Sequence, residues 1–97
     1  MIFYVGDHGM VLSQITGVDW SAPVFKHCFI VQPNGVAITK DGTAITVDDA
    51  ATGTVHVVIG PGELTLPGLH LVQFRLTTLS SVVHCPIMDF MVQYPLA

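Results

Sequence analysis

Five histidines, two cysteines and seven carboxylates are the residues of this 97-residue chain best placed to do chemistry, and their spacing limits what that chemistry is. Neutral imidazole and thiolate are common metal ligands, and two histidines sit beside the cysteines as His27-Cys28 and His84-Cys85. Adjacent residues of a strand point to opposite faces, so neither dipeptide chelates through both side chains without a bulge. The chain has no Cys-x-x-Cys and no His-x-x-x-His. The expectation is no metal and no other cofactor, with the histidines at the surface or facing a partner.

Hydrolysis needs a nucleophile, a base and an orienting carboxylate brought together. Ser80, Ser81, His84 and Asp89 lie close in sequence, but a Ser-Ser pair between two apolar runs reads as a reversal, with His84 following in the next strand. Asp48-Asp49 supplies only two adjacent carboxylates, which reads as a solvated turn rather than a calcium loop. No glycine-rich loop opens a helix, as a phosphate site of that kind requires. The sequence therefore predicts a protein that is not an enzyme.

The length is that of one domain, residues 1–97, able to bury roughly two-thirds of its unfolded surface. Hydrophobic residues make up 51% of the chain and charged residues 10%, which excludes intrinsic disorder. Three cations and a net charge of -4 cannot neutralise the several phosphates that nucleic-acid binding requires, so no nucleic acid is expected as a partner. The apolar runs fall far short of the ~20 residues that span a bilayer, so no membrane partner is expected either. The start carries no basic region and no apolar run before a small-residue cleavage site, which reads as no signal peptide. A charged fraction this low, against a typical ~25%, points to a surface that touches other protein.

Val, Ile, Thr and Phe alternate with polar residues, and turn residues break the chain at short intervals, which predicts an all-β domain. Strands are expected at about residues 2–5, 10–15, 24–32, 36–39, 43–47, 54–59, 69–78, 82–85 and 87–94, with one helical turn conceivable at 62–66. Pro33-Asn34-Gly35 and Lys40-Asp41-Gly42 mark two hairpins. Along residues 69–78, His70, Val72, Phe74 and Leu76 share one face and Leu69, Leu71, Gln73 and Arg75 the other; the face with Gln73 and Arg75 is the outer one. By the same alternation Val55, Val57 and Ile59 point inward and His56 and Val58 outward, while Met88, Phe90, Val92 and Tyr94 oppose Asp89, Met91 and Gln93. Seven to nine short strands make an antiparallel β-sandwich.

From Cys28 onward the pattern resembles a known family. The segment from Cys28 to Gly35, an apolar strand entering a Pro-Asn-Gly turn, is similar to the start of the N-terminal immunoglobulin-like domain of phage baseplate upper proteins and related small virion proteins. Asp49 to Val55 resembles that family's Ala-Ala-x-Gly-x-Val entry into a strand, and Glu63 to His70 its Asp-x-x-x-x-Gly-x-Tyr corner. Gly6-Asp7-His8-Gly9 is similar to a start found in many of these domains. The likeness covers about three-quarters of the chain. It departs at His70, where the corner Tyr hydrogen bond to backbone must be made by imidazole or lost, and at residues 16–23. The residue two after His70 is Val72, not a cysteine, so the antibody disulfide rule fails. Cys28 and Cys85 are expected as reduced, core-filling thiols.

Apolar residues at outer positions carry the functional expectation, because such patches mark protein interfaces. Leu69, Leu71, Val58 and Met91 join Met10, Trp20, Tyr94 and Leu96 as candidate contacts, with Ala97 closing the same tail. The resemblance implies a bacteriophage virion protein made in the host cytoplasm. It would act by binding other virion proteins, capsid or tail components, as a symmetric homo-oligomer or in many copies. Capsid decoration or cement protein and small tail, baseplate or fibre-attachment component both fit. The alternative is a host-surface adhesion module, for which Val18-Asp19-Trp20 is the candidate loop.

Overall fold

Every stretch with strict alternation forms a strand, and the strands divide between two sheets according to which face each one buries. The computed structural model describes residues 1–96. The strands are β1 (Ile2–Tyr4), β2 (Val11–Ile15), β3 (Phe25–Val31), β4 (Ala37–Asp41), β5 (Thr46–Asp49), β6 (Thr54–Val58), β7 (Gly68–Thr77), β8 (Val82–His84) and β9 (Met88–Gln93). The larger sheet runs β1-β9-β7-β3-β4, with β8 also paired to β7, and the smaller runs β2-β6-β5. This is the immunoglobulin-like sandwich: β2, β6 and β5 stand as strands B, E and D, and β9, β7 and β3 as G, F and C. Nine strands among the described residues fall at the upper end of the expected number. The expected antiparallel pairing holds except for β1, which lies parallel to β9.

Two local expectations are corrected. Asp41-Gly42 does not close a hairpin, because β4 pairs with β3 in the larger sheet while β5 pairs with β6 in the smaller. The chain instead changes sheets there through a single 3-10 turn, Gly42–Ala44, the one helical element among the described residues. Residues 62–66 form no helical turn. Their backbone is folded around Glu63, whose carboxylate accepts the Gly60 N–H and also pairs with Lys40 Nζ at 2.8 Å. That ion pair ties β4 of the larger sheet to the loop leaving the smaller one.

The facing sides of the two sheets meet in one core. Leu12, Val55 and Val57 come from the smaller sheet, Cys28, Ile30, Val72, Phe74, Leu76, Phe90 and Val92 from the larger, and Ile45, Ile59 and Leu64 from the connections. All four residues of the inward face of β7 are buried, and His70 among them corrects the expectation that the histidines lie at the surface, because alternation carries it to the core side with Val72 and Phe74. Trp20 plugs one end, its indole edge-on to Phe74 with centroids 6.4 Å apart.

The hydroxyl of Thr16 holds that plug. It accepts the Trp20 Nε1–H at 3.1 Å and the Val18 N–H at 3.3 Å, and donates to the Gly53 carbonyl at 2.9 Å. Gly53 is required on two counts. Its φ is +70°, and a Cβ would collide with the Val18 carbonyl and the Thr16 hydroxyl. Thr16→Val keeps the shape but strands a buried indole N–H, at a cost of about 1–3 kcal/mol. In a domain of this size each 1 kcal/mol lowers the melting temperature by roughly 4–8 °C. Thermal unfolding followed by circular dichroism should show that drop for Thr16→Val and a much smaller one for Thr16→Ser.

Candidate functional site

The outer face of the larger sheet carries the longest rows of uncovered apolar side chains; Val11, Ile15 and Val58 are exposed on the smaller sheet, Val11 opposite Val58. Cross-strand register builds the face of the larger sheet in rows. Ile2 lies opposite Met91, and Met91 opposite Leu69, making one row across β1, β9 and β7. In the next row Leu71 lies opposite Val31, and Val31 opposite Ala37. Leu69 is 48% exposed and Leu71 40%, high values for leucines in a sheet's central strand.

Beside these rows runs a groove of about 310 Å³, floored by Phe29, Val31 and Leu71 and walled by Ala37 on one side and His84 and Ile87 on the other. The second wall is made by a bulge. β8 and β9 pair in turn with the same edge of β7, and between the pairs Arg75–His84 and Val72–Met88 three residues oppose two. Pro86 has no N–H to give the ladder, so the strand breaks there. Gln73 Nε2 donates to the Cys85 carbonyl at 3.0 Å and Gln14 Nε2 to the Pro86 carbonyl at 2.9 Å, fixing the bulge from both sheets. The extra residue lets Cys85 stay buried while Ile87 turns out, 62% exposed.

Below the groove the face turns aromatic. The His27 ring stacks on Phe29 at 5.9 Å with planes 3° apart, and the Arg75 guanidinium lies 5.0 Å from the centre of the Phe29 ring. Arg75 Nη2 donates to His27 Nδ1 at 3.4 Å, which requires that nitrogen to carry no proton. The face thus holds its cation in place with π and imidazole contacts.

Of the eight candidate contacts, the structure brings Leu69, Leu71 and Met91 together on this face. Tyr94 and Leu96 are exposed just past the end of β9, although alternation points Tyr94 inward; Ala97 lies outside the described residues. Val58 is exposed on the smaller sheet, on the opposite side of the sandwich. Trp20 and Met10 are corrections. Trp20 is 2% exposed, because its indole finds both a core to fill and an acceptor in Thr16, and Met10 is half-buried against the same core. With Trp20 inward, Val18-Asp19-Trp20 presents no aromatic contact. The sequence reading missed Ile2, Phe29, Val31, Ala37 and Ile87. β3 is apolar on both faces, so alternation there gave no sidedness, and Ile87 depends on the bulge.

The candidate chemistry is placed as follows. Ser80 and Ser81 form the β7–β8 reversal, both donating backbone N–H to Thr78 Oγ1. Asp48 is the last but one residue of β5 rather than part of a turn, and its Oδ2 lies 2.6 Å from His56 Nδ1, a pair the sequence reading did not foresee. Ser13 is in cross-strand register with His56, yet no hydrogen bond joins them among the described residues, so the imidazole is oriented but holds no nucleophile. Both cysteines are buried and unpaired. Burial pushes the Cys28 thiol up to about 12, with the Lys40 charge working the other way, and burial raises Cys85, with the neighbouring Thr16 side chain working the other way. Thiolate chemistry is suppressed at both.

No family model matches the chain, and no curated protein matches it in sequence.

A thiol whose folded pKa lies above its unfolded value stabilises the fold fully below the unfolded value and loses that contribution as pH climbs toward the folded one. For Cys28 the window opens near 9.0 and closes near 12. Denaturant unfolding across that range should show stability falling with pH, by up to about 1.4 kcal/mol per unit from this group, and Cys28→Ala should flatten the slope.

Proposed function

We propose that this chain is a bacteriophage structural protein that acts by binding other virion proteins, as a capsid decoration or cement protein or as a small tail, baseplate or fibre-attachment component. The observation that carries the binding role is the apolar outer face of the larger sheet, where Leu69, Leu71 and Met91 adjoin Ile2 and a groove. Apolar patches of this kind are uncommon on proteins that work alone. The virion setting rests on the resemblance of residues 28–35, 49–55 and 63–70 to the immunoglobulin-like domains of phage baseplate proteins. An immunoglobulin-like sandwich is the fold that resemblance implies, and His70 occupies the position of its corner tyrosine, with Nδ1 3.1 Å from the Gly68 carbonyl.

The role proposed is recognition, without catalysis, cofactor, nucleic acid or membrane. An adhesion module would display an aromatic loop, and its one candidate aromatic, Trp20, is in the core. Electron microscopy of assembled particles should locate the protein in many symmetric copies with the larger sheet against a neighbour. Leu69→Thr with Leu71→Thr should leave the melting temperature within a few degrees of the parent, since Thr suits a strand, and abolish incorporation into particles. Unfolding of that variant would mean that the two leucines are core residues, whose loss costs roughly 4 kcal/mol or more, and an incorporated variant would remove the face from the interface.

A further inference from the structure

Resting on the reading of that face as an interface, we propose that Arg75, with His27 and His84 on either side, binds a carboxylate of the virion protein that covers it, and that an apolar side chain beside that carboxylate lies in the groove. Register builds the site as one row. Arg75 of β7 lies opposite His27 of β3 and, on its other side, opposite His84 of β8. His84 is exposed and also walls the groove, and the Phe29 ring on the groove floor has its centre 5.0 Å from the guanidinium. A cationic fork and an apolar hollow thus adjoin.

Arg75 is the cationic side chain that the fold leaves without an anion or a carbonyl. Among the described residues the ion pairs are Lys40 with Glu63 and His56 with Asp48, and Lys26 donates to the Ile45 carbonyl. Arg75 has only the Phe29 ring and His27 Nδ1, the latter a long contact at 3.4 Å, and its Nε finds no acceptor. A guanidinium presents its donors in a planar fork that matches a carboxylate. Because His27 accepts through Nδ1, its own proton is on Nε2, which adds a further donor to the row. The carboxylates of the face stand off. Asp41, in register with His27, lies two strands from Arg75, about 10 Å across the sheet, and Asp89, opposite Leu71, lies about 13 Å along β7. Both separations exceed the ~8 Å over which exposed charges are felt at physiological salt. Protein laid over this face takes water from the guanidinium, and a covered charge without a counter-ion is costly. A cover that brings its own carboxylate removes that cost with charge-assisted hydrogen bonds, whereas a basic or wholly apolar cover does not.

The test uses the whole chain, with isovalerate, a branched aliphatic carboxylate, and isovaleramide, its uncharged counterpart, as probes. In NMR titrations isovalerate should give saturable shifts at Arg75, His27 and His84 with a Kd in the millimolar range, and isovaleramide should bind at least tenfold more weakly. Arg75→Gln should lose that preference while keeping the circular dichroism of the parent, and Arg75→Lys, which keeps the charge without the fork, should keep part of it. Imidazole gains its proton between pH 8 and 5, so isovalerate should bind several-fold tighter at about pH 6 than at about pH 7.5, and His27→Gln with His84→Gln should abolish that difference. The absence of saturable shifts up to about 50 mM, equal binding of the two probes, or parental binding by Arg75→Gln overturns the inference. In assembly, Arg75→Gln should enter particles at least tenfold less than the parent. Particles that take it up at the parental level also overturn the inference; where they still exclude Leu69→Thr with Leu71→Thr the proposed function stands without it, and where they take up both it falls as well.

Discussion

The position of one indole N–H governs this sandwich. Trp20 is the largest side chain in the core, and a buried indole donor must find an acceptor. Thr16 provides it, four residues earlier, with the same oxygen that donates to Gly53. The backbone completes the clamp, with Thr16 N–H on the Gly53 carbonyl, Gly17 N–H on Thr52 and Trp20 N–H on Ala50. The strand that leaves the smaller sheet is thereby fastened to the turn between β5 and β6 before it crosses over to begin β3. With the indole edge against Phe74 of β7, the crossover, the smaller sheet and the central strand of the larger one are fixed relative to each other. Which face of β7 is outer follows from that arrangement.

The distribution of cations follows the same logic. Lys40 is paired with Glu63, Lys26 donates to the Ile45 carbonyl at 3.2 Å, and Arg75 lies over Phe29. All three are held by partners within the chain, two of them linking β3 or β4 to the connections between sheets. Asp7, Asp19, Asp48 and Asp49 lie on the loops and the smaller sheet, and Asp41 and Asp89 on the larger one. The outer face of the larger sheet therefore carries one cation, Arg75, and the carboxylates of Asp89 and Asp41 among its apolar residues.

How much of this was legible in the sequence varies with the physics of each element. β7 and β6 announce their faces because Gln73, Arg75 and His56 mark one side, with His70 the one polar residue on the inner side of β7, so Leu69 and Leu71 could be placed outside from alternation alone. β3 could not be read, since Phe29 and Val31 on one face are as apolar as Cys28 and Ile30 on the other. Turn residues at Asp41-Gly42 declare a change of direction but not whether the chain returns to the same sheet, because that depends on β5 pairing with β6, which comes later in the chain, rather than with β4. Trp20 lies in a connection, where exposure has no period; only the partnership with Thr16 decides it. The pair of Asp48 and His56 spans the β5–β6 turn and a register shift between Val47 and Asp49, so neither residue's spacing reveals it.

His70 joins the corner of the fold to the face that β7 presents. It lies fully buried, stacked on Phe90 with centroids 4.9 Å apart and planes 20° from parallel. A carbonyl only accepts, so the contact with Gly68 puts the proton on Nδ1 and leaves Nε2 a buried acceptor with no partner. An unmet acceptor of that kind costs about 1–3 kcal/mol, and a tyrosine hydroxyl at the corner would avoid it. The cost is borne because the surrounding backbone is held independently. Gly68 has a φ of +127° and packs so closely on Pro33 that a Cβ would come within 2.8 Å of that ring. β7 is laddered to β3 from Leu71 to Thr77 and to β9 from Gly68 to Val72. The imidazole therefore does not have to anchor the corner, as a tyrosine does by its hydroxyl; it fills the space under a strand already fixed on both sides. That rigidity serves the outer face, since Leu69 and Leu71 alternate with His70 and Val72 and can stay exposed only while those two stay buried.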